Sequence, residues 1–273
     1  MRGGSSARPG GCGATRMNRT GLAIVVAIAA VVGIVFGVWP KLDLAISRLA
    51  FNPDPKINLF DFGLHPWVLR TRDAARWVIA LVALPAFLSI VGKMMFPKLP
   101  MTMDGRAALV IVLTLGLGPG IVTNTLFKDH WGRSRPMEVP EFGGNGRFTA
   151  WWDPRGPCPN NCSFVAGEPS GAFWTVAPAA FAPPQWRALA YAGVFAFGAG
   201  IGVLRILGGG HFFTDVVFAG VFMYLAAWAV YGLLFRFRPT RLPEGAIEGL
   251  LAGIGLAIRR GLTRLVRGGE EKL

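Results

Sequence analysis

The sequence predicts an all-α integral membrane protein: a six-helix bundle followed by an amphipathic cytoplasmic C-terminal helix. Of its 273 residues, 52% are hydrophobic and only 16% charged, whereas about a quarter of a soluble domain is charged. A disordered chain lacks the Phe, Leu and Val abundant here. The length exceeds that of a lone anchor and fits about six spans of roughly twenty residues each. Twenty-eight Lys and Arg against fifteen Asp and Glu leave a net charge of +13. In a membrane chain that excess suits flanks held against anionic lipid rather than nucleic acid.

Residues 1–20 are rich in Gly, Ser and Arg without apolar periodicity, which predicts a disordered cytoplasmic tail. The apolar run Leu22 to Trp39 is too long for a signal peptide and lacks a small-residue cleavage pattern, so it reads as an uncleaved first span. The polar, Pro-containing stretch from Lys41 to Arg76 is expected near the membrane surface. A second span follows from Trp77 to Phe96, and a third from Ala107 to Phe127. The longest non-apolar insertion then runs from Lys128 to about Asn161. The fourth stretch, Phe164 to Ala182, is interrupted by Pro169 and Pro178, and spans five and six are Ala188 to Leu207 and Phe212 to Phe235. Six crossings place the Arg-rich N-terminus and the basic C-terminal segment on the same, cytoplasmic, side. The 128–161 loop and the 207–211 turn then face outward, into the periplasm of a Gram-negative cell. The spanning domain covers 21–238 and a basic tail 239–273. In the tail, Ile247, Leu251, Ile254, Ile258, Leu262 and Leu265 recur at helical spacing with Arg260, Arg264 and Arg267 on another face. Such a helix lies flat on the inner leaflet; its many glycines leave a weakly ordered tail as the alternative.

Ionisable groups at the ends of spans are costly in hydrocarbon and mark function. Lys128, Arg133 and Arg135 follow the third span, Glu168 opens the fourth, Arg205 ends the fifth, and His211 and Asp215 open the sixth, all on one side. Lys128 and Arg135 are two turns apart and would share a face of a continuous helix that Pro136 ends. His211 and Asp215, four apart, also share a face, which lets a carboxylate hold the far imidazole nitrogen. Gly208, Gly209 and Gly210 allow the backbone to approach Arg205 closely. Converging cations beside an oriented imidazole describe a receptor for a tetrahedral oxyanion with a nucleophile, which is phosphoryl-transfer chemistry. Three histidines and more cations than carboxylates argue against a metal, and no nucleotide-binding loop is present. No cofactor is expected.

These residues resemble the three-part signature of the type 2 phosphatidic acid phosphatase superfamily, which also contains the vanadium haloperoxidases. Six residues separate Lys128 from Arg135 and Pro136, the second part spans Phe164 to Ser170, and five residues separate Arg205 from His211 and three His211 from Asp215. The resemblance extends over residues 107–235 and implies a six-span helical fold. It also implies that Lys128, Arg135 and Arg205 bind phosphate, that His211 forms a phosphohistidine and that Asp215 orients it. The family's second motif reads Pro-Ser-Gly-His; aligned on Phe164, this chain has Val165, Ala166, Gly167 and Glu168. The serine hydroxyl is absent, the Gly167 amide remains, and Glu168 replaces the histidine that protonates the departing oxygen. Burial favours a protonated Glu168 and neighbouring cations an ionised one. An ionised Glu168 predicts a substrate with a good leaving group, such as a prenyl diphosphate or the anomeric phosphate of lipid A.

Cys158 and Cys162 either form a disulfide over the pocket or remain free thiols, and Cys12 is expected reduced. His130 reads as a loop residue, Arg133 as a phosphate contact or a headgroup anchor, and Trp151 with Trp152 as an interfacial pair. The expected function is a metal-independent lipid phosphatase of the bacterial inner membrane, active from the periplasmic side on a phosphorylated lipid of the lipid A, prenyl diphosphate (such as undecaprenyl diphosphate) or phosphatidate class. A lipid-phosphate-binding scaffold without turnover and an anion or lipid transporter are the alternatives. The sequence leaves the oligomeric state open.

Overall fold

A computed structural model describes residues 17–54, 59–237, 241–243 and 245–270. The tail through residue 16 with Cys12, the expected boundary at 238 and 239, and the side chains of Leu262, Arg264, Leu265 and Arg267 lie outside the described residues. Among the described residues every regular element is helical.

Helix α1 (Arg19–Val38) begins where Asn18 accepts the Gly21 amide at 2.8 Å, a side-chain cap that satisfies one orphan donor. It leans on α8 (Phe213–Tyr231): Gly21 abuts Tyr224, and Gly33 abuts Phe218. Its other face, Ile24, Val31 and Ile34 among it, is exposed, as a lipid-facing surface must be. The expected surface stretch is in fact structured. Lys41–Ala50 forms α2, which buries Asp43, Leu44, Ser47 and Ala50; a 3₁₀ turn spans Leu59–Leu64; and Pro66 opens α3 (Pro66–Met95). Proline suits a first helical position because its missing N–H has no partner there. The second span thus starts eleven residues before Trp77, and its 30 residues, about 45 Å long, carry Arg72 beyond the apolar portion.

After an Asp104 cap, α4 (Gly105–Leu115) continues in wider π-type turns over Gly116–Lys128, around Pro119. The fourth apolar stretch is two short pieces, α5 (Gly167–Trp174) and α6 (Val176–Ala179), so among the described residues five helices rather than six are long and apolar enough to cross a membrane unaided. Two clusters show what α5 and α6 do. At one end Phe127, Phe164, Ala166 and Val216 pack together. At the other end Met17, Val110, Ala177, Ala180 and Tyr231 pack together. The α5–α6 pair therefore joins the same two ends as α4 and α8, in the centre of the bundle. Small residues make this possible: Ala172, Ala177 and Ala180 are completely buried. The buried Trp174 indole donates to Thr114 Oγ1 at 3.0 Å.

Helix α7 (Pro184–Leu207) returns along α5 and reaches α8 through the glycine turn. Helix α8 continues over Gly232–Arg236. Helix α9 (Ala246–Glu270) packs its start on α3 and α4, where Ile247 lies against Gly105 and Glu248 pairs with Lys93 at 2.8 Å. Of the expected apolar stripe, Ile247 is buried, whereas Ile254 and Ile258 are exposed.

Candidate active site

The Phe164-bearing end of the bundle collects the charged groups. The helix carrying Lys128 stops there, since Gly132 adopts φ +70° three residues before Arg135. The expected continuous helix from Lys128 to Arg135 is therefore not formed. The two cations meet through Asn161 instead: Lys128 Nζ donates to its Oδ1 at 3.0 Å and Arg135 Nη2 to its carbonyl at 2.7 Å. Asn161 sits at φ +48°, a left-handed conformation that Asn tolerates better than most residues. It is presented by the small ring that the Cys158–Cys162 disulfide closes. Backbone bonds zip this segment onto the Lys128 turn, Cys158 N to Gly132 O at 2.9 Å and Cys162 N to Lys128 O at 2.9 Å.

Helix α5 brings its N-terminus to Lys128 so closely that a Cβ on Gly167 would lie 2.9 Å from the ammonium nitrogen. A side chain there would push the flexible Lys128 ammonium aside, and the helix's first amides point outward with the positive end of its dipole. Ser170, one turn further in, is completely buried between Thr123 and the Ala166 carbonyl. That placement supports matching the motif on Ala166, Gly167 and Glu168 rather than on Pro169 to Ala172.

Glu168 is held by Arg72 of α3. The guanidinium donates to both carboxylate oxygens, Nε at 2.8 and 3.1 Å and Nη2 at 2.8 Å, while Arg205 Nε lies 3.7 Å away. Both oxygens face donors, so the arrangement suits a carboxylate and opposes a protonated acid. Arg205 itself packs on Gly210, whose missing side chain makes room, and Gly209 turns at φ +60°. Arg205, Arg135 and Glu168 all lie within electrostatic reach of His211, and Lys128 within reach of Arg135 and Arg205.

His211 is 2% exposed. Its Nδ1 lies 2.7 Å from the Ser163 carbonyl and 3.8 Å from Asp215 Oδ2. The expected direct grip by Asp215 is thus one step removed. A carbonyl can only accept, so Nδ1 carries the hydrogen and Nε2 keeps its lone pair. Asp215 steadies this arrangement indirectly, taking the Ser163 hydroxyl at 2.5 Å and the Phe212 amide at 2.8 Å. Burial, aided by Arg205 and Arg135, pushes the His211 pKa down to about 4 against the opposing pull of Asp215. An imidazole so shifted is neutral at pH 7.

Arg133 neither contacts the pocket nor anchors at headgroups. It is completely buried and donates to Asp215, Asp43, Thr214 and the Thr149 carbonyl, with its guanidinium 4.4 Å from the Phe212 ring centre. His130 caps a turn, its Nδ1 2.7 Å from the Thr125 carbonyl. Trp151 stacks on Phe218 rather than standing free, and Trp152 is exposed. Sequence reasoning missed Arg72, Asp43, Asn161 and Ser163. Arg72 and Asp43 lie in the stretch assigned to the surface, and the only local sign was their place among apolar neighbours at helical spacing. No cluster of His, Cys, Asp or Glu fit to hold a metal occurs among the described residues.

The sequence pattern of the PAP2 superfamily matches residues 107–239. The chain is similar to a lipid A 4′-phosphatase of Francisella tularensis subsp. novicida, with 33% identity over 204 residues, 74% of this chain and 90% of the relative. It is also similar to a lipid A 4′-phosphatase of Rhizobium leguminosarum, 34% identical over 128 residues, 47% of this chain and 53% of the relative. A lipid A 4′-phosphatase of Rhizobium etli is 32% identical over 125 residues, 46% of this chain and 47% of the relative. No solved structure matches the chain.

Proposed function

The chain belongs to the PAP2 superfamily, and on that premise we propose that this lipid phosphatase removes a phosphate from lipid A on the outer face of the bacterial inner membrane. The observation that carries the reading is the meeting of Lys128, Arg135, Arg205 and the N-terminus of α5 beside a neutral, oriented His211.

Lys128, Arg135 and Arg205 hold the phosphate oxygens, and the α5 amides face the same anion. His211 Nε2 attacks phosphorus as the bond to the sugar oxygen breaks, while Nδ1–H stays on the Ser163 carbonyl. The cations neutralise charge on the equatorial oxygens, the largest contribution such a site makes. The departing oxygen takes its proton from water. Water then attacks the phosphohistidine, and Glu168, an acceptor at rest, removes its proton to release phosphate and free imidazole. At the 4′ position the leaving group is an ordinary sugar alcohol, so the expectation of a good leaving group does not suit the relatives' chemistry.

In the bilayer, α5 and α6 make a sixth crossing, lined on all sides by longer helices that cover their backbone. Residues 1–20 and the tail 239–273 then both lie in the cytoplasm, flanking a spanning unit of residues 21–238, with α9 against the inner leaflet. Loss of the Ser hydroxyl at Ala166 and the commitment of Glu168 to Arg72 favour a second reading, a lipid-phosphate receptor without turnover. One experiment separates them: purified protein is incubated with lipid A, undecaprenyl diphosphate and phosphatidate, with His211→Ala as control. Phosphate release from lipid A that the control abolishes supports the enzyme, whereas binding without release supports the receptor.

A further inference from the structure

Behind His211 lies a charged cluster closed off from solvent. Asp43 of α2, Arg133 and Asp215 are each 1% exposed or less. Arg133 Nη2 donates to Asp43 Oδ2 at 2.8 Å and Nη1 to Asp215 Oδ1 at 2.5 Å. Thr214 ties them together: its hydroxyl donates to Asp43 Oδ2 at 2.6 Å and receives Arg133 Nη1 at 2.8 Å, and its amide donates to Asp43 Oδ1 at 3.1 Å. A guanidinium between two carboxylates is more than structural economy requires. Removing charges from water costs several kcal/mol per ion, and apolar replacements of such clusters are often neutral or stabilising.

We infer that Asp43 is a positioning residue for the reaction at His211, acting through Arg133 on Asp215. The inference rests on His211 being the nucleophile. Two negative charges and one positive leave the cluster one net negative. When Nε2 bonds to phosphorus with Nδ1 still protonated, the imidazole becomes cationic, and the cluster is then neutralised in a region of low dielectric where such pairing is strong. Without Asp43, Arg133 would cancel Asp215 and the cluster's share of the field at His211 would vanish just as the positive charge develops. Three hydrogen bonds donated to Asp43 mark it as a carboxylate, although burial, with the nearby Asp215, pushes its pKa up against the pull of Arg133. The other charges facing His211 are Arg205 from α7, Arg135 from the loop and Glu168 from α5. Asp43 also lies outside the stretch that matches the family pattern, so α2 would be a part of the catalytic unit supplied by this chain's own N-terminal half.

The test is a titration that needs no turnover. The chain has three histidines, so the His211 resonance of isotope-labelled full-length protein in micelles is assigned by its loss in His211→Asn. Asp43→Asn is expected to lower, and Arg133→Gln to raise, the protonated fraction of His211 at pH about 4.5, each by about half a pH unit or more in midpoint. Each variant has its own sign, so either one that folds suffices. Thr214→Val removes two hydrogen bonds but no charge; it is expected to lower the thermal midpoint without moving the titration. With lipid A, Asp43→Asn is expected to lower kcat about tenfold, with KM changed less than about twofold. Unmoved titrations, shifts of the same sign in both variants, or a change in KM alone would overturn the inference. Absence of phosphate release from lipid A by the unaltered protein would overturn the proposed substrate and leave the titration result standing.

Discussion

A single side chain decides how this site handles protons. Glu168 stands where the family carries a general acid, yet Arg72 donates to both its oxygens. In the proposed reaction a group so held lies beside Arg205 and accepts a proton late in the cycle rather than giving one early. Glu168→Gln is therefore expected to slow hydrolysis of p-nitrophenyl phosphate and of lipid A by the same factor, about two to four orders of magnitude, because both pass through the same phosphohistidine. Loss of a general acid would instead cost that much with the alcohol leaving group only, so rates on the two substrates distinguish the roles. His211 sets the pH behaviour. Its pKa, depressed from 6.5 to about 4 by burial, keeps the folded imidazole neutral while the unfolded one protonates first. The stability it contributes is complete above about 6.5 and is lost as pH falls toward about 4, a trend that thermal midpoints of wild type and His211→Asn measured from pH 7 to 4 will show. The cations and His211 were legible because fixed spacing in sequence survives any helix packing. Arg72 and Asp43 were not, because their partners lie 96 and 90 residues or more away and only tertiary contact reveals them.

Helices supply that contact, and here the weakest helix is the most central. Helix α5 is eight residues long, too short to be stable by propensity, so burial and a few polar bonds hold it. Thr114→Val would leave the Trp174 indole N–H unpaired inside the bundle. The expected cost is about 1–3 kcal/mol, seen as a lower thermal midpoint with kcat unchanged because Thr114 is remote from the phosphate cations. The Cys158–Cys162 ring plays the matching part outside the bundle by presenting Asn161 to both Lys128 and Arg135. Replacing both cysteines with serine is expected to raise KM several-fold more than it lowers kcat, since phosphate binding depends on how those two cations are spread. The long apolar helices were legible from hydrophobic runs alone. The start of α3 was not, because Arg70, Arg72, Asp73 and Arg76 interrupt the apolar run before Trp77, and the fourth stretch, though interrupted by Pro169 and Pro178, counts as one span in the sequence because no residue type marks the break at Thr175.

At the scale of the whole chain, the interruption in α5–α6 decides topology. Five long helices would put the two ends of the protein on opposite sides of the membrane; a sixth crossing by the short pair puts them together. The packing favours the latter, because Ala166 lies with Phe127 at one end and Ala177 with Val110 at the other. The basic residues agree: Lys98 in the α3–α4 turn and Arg236 after α8 fall on one side, and the site with Arg155 on the other. Single cysteines at exposed Arg155, before the short pair, and exposed Gln185, after it, in a chain with Cys12 replaced, distinguish the two cases. A membrane-impermeant thiol reagent applied to intact cells with a permeable outer membrane is expected to label Arg155→Cys and not Gln185→Cys, and a reporter that works only in the cytoplasm is expected to be active when fused after Leu273. Labelling of Gln185→Cys together with Arg155→Cys, or a C-terminus exported while the N-terminus is retained, would remove the sixth crossing and with it the outward-facing phosphate site.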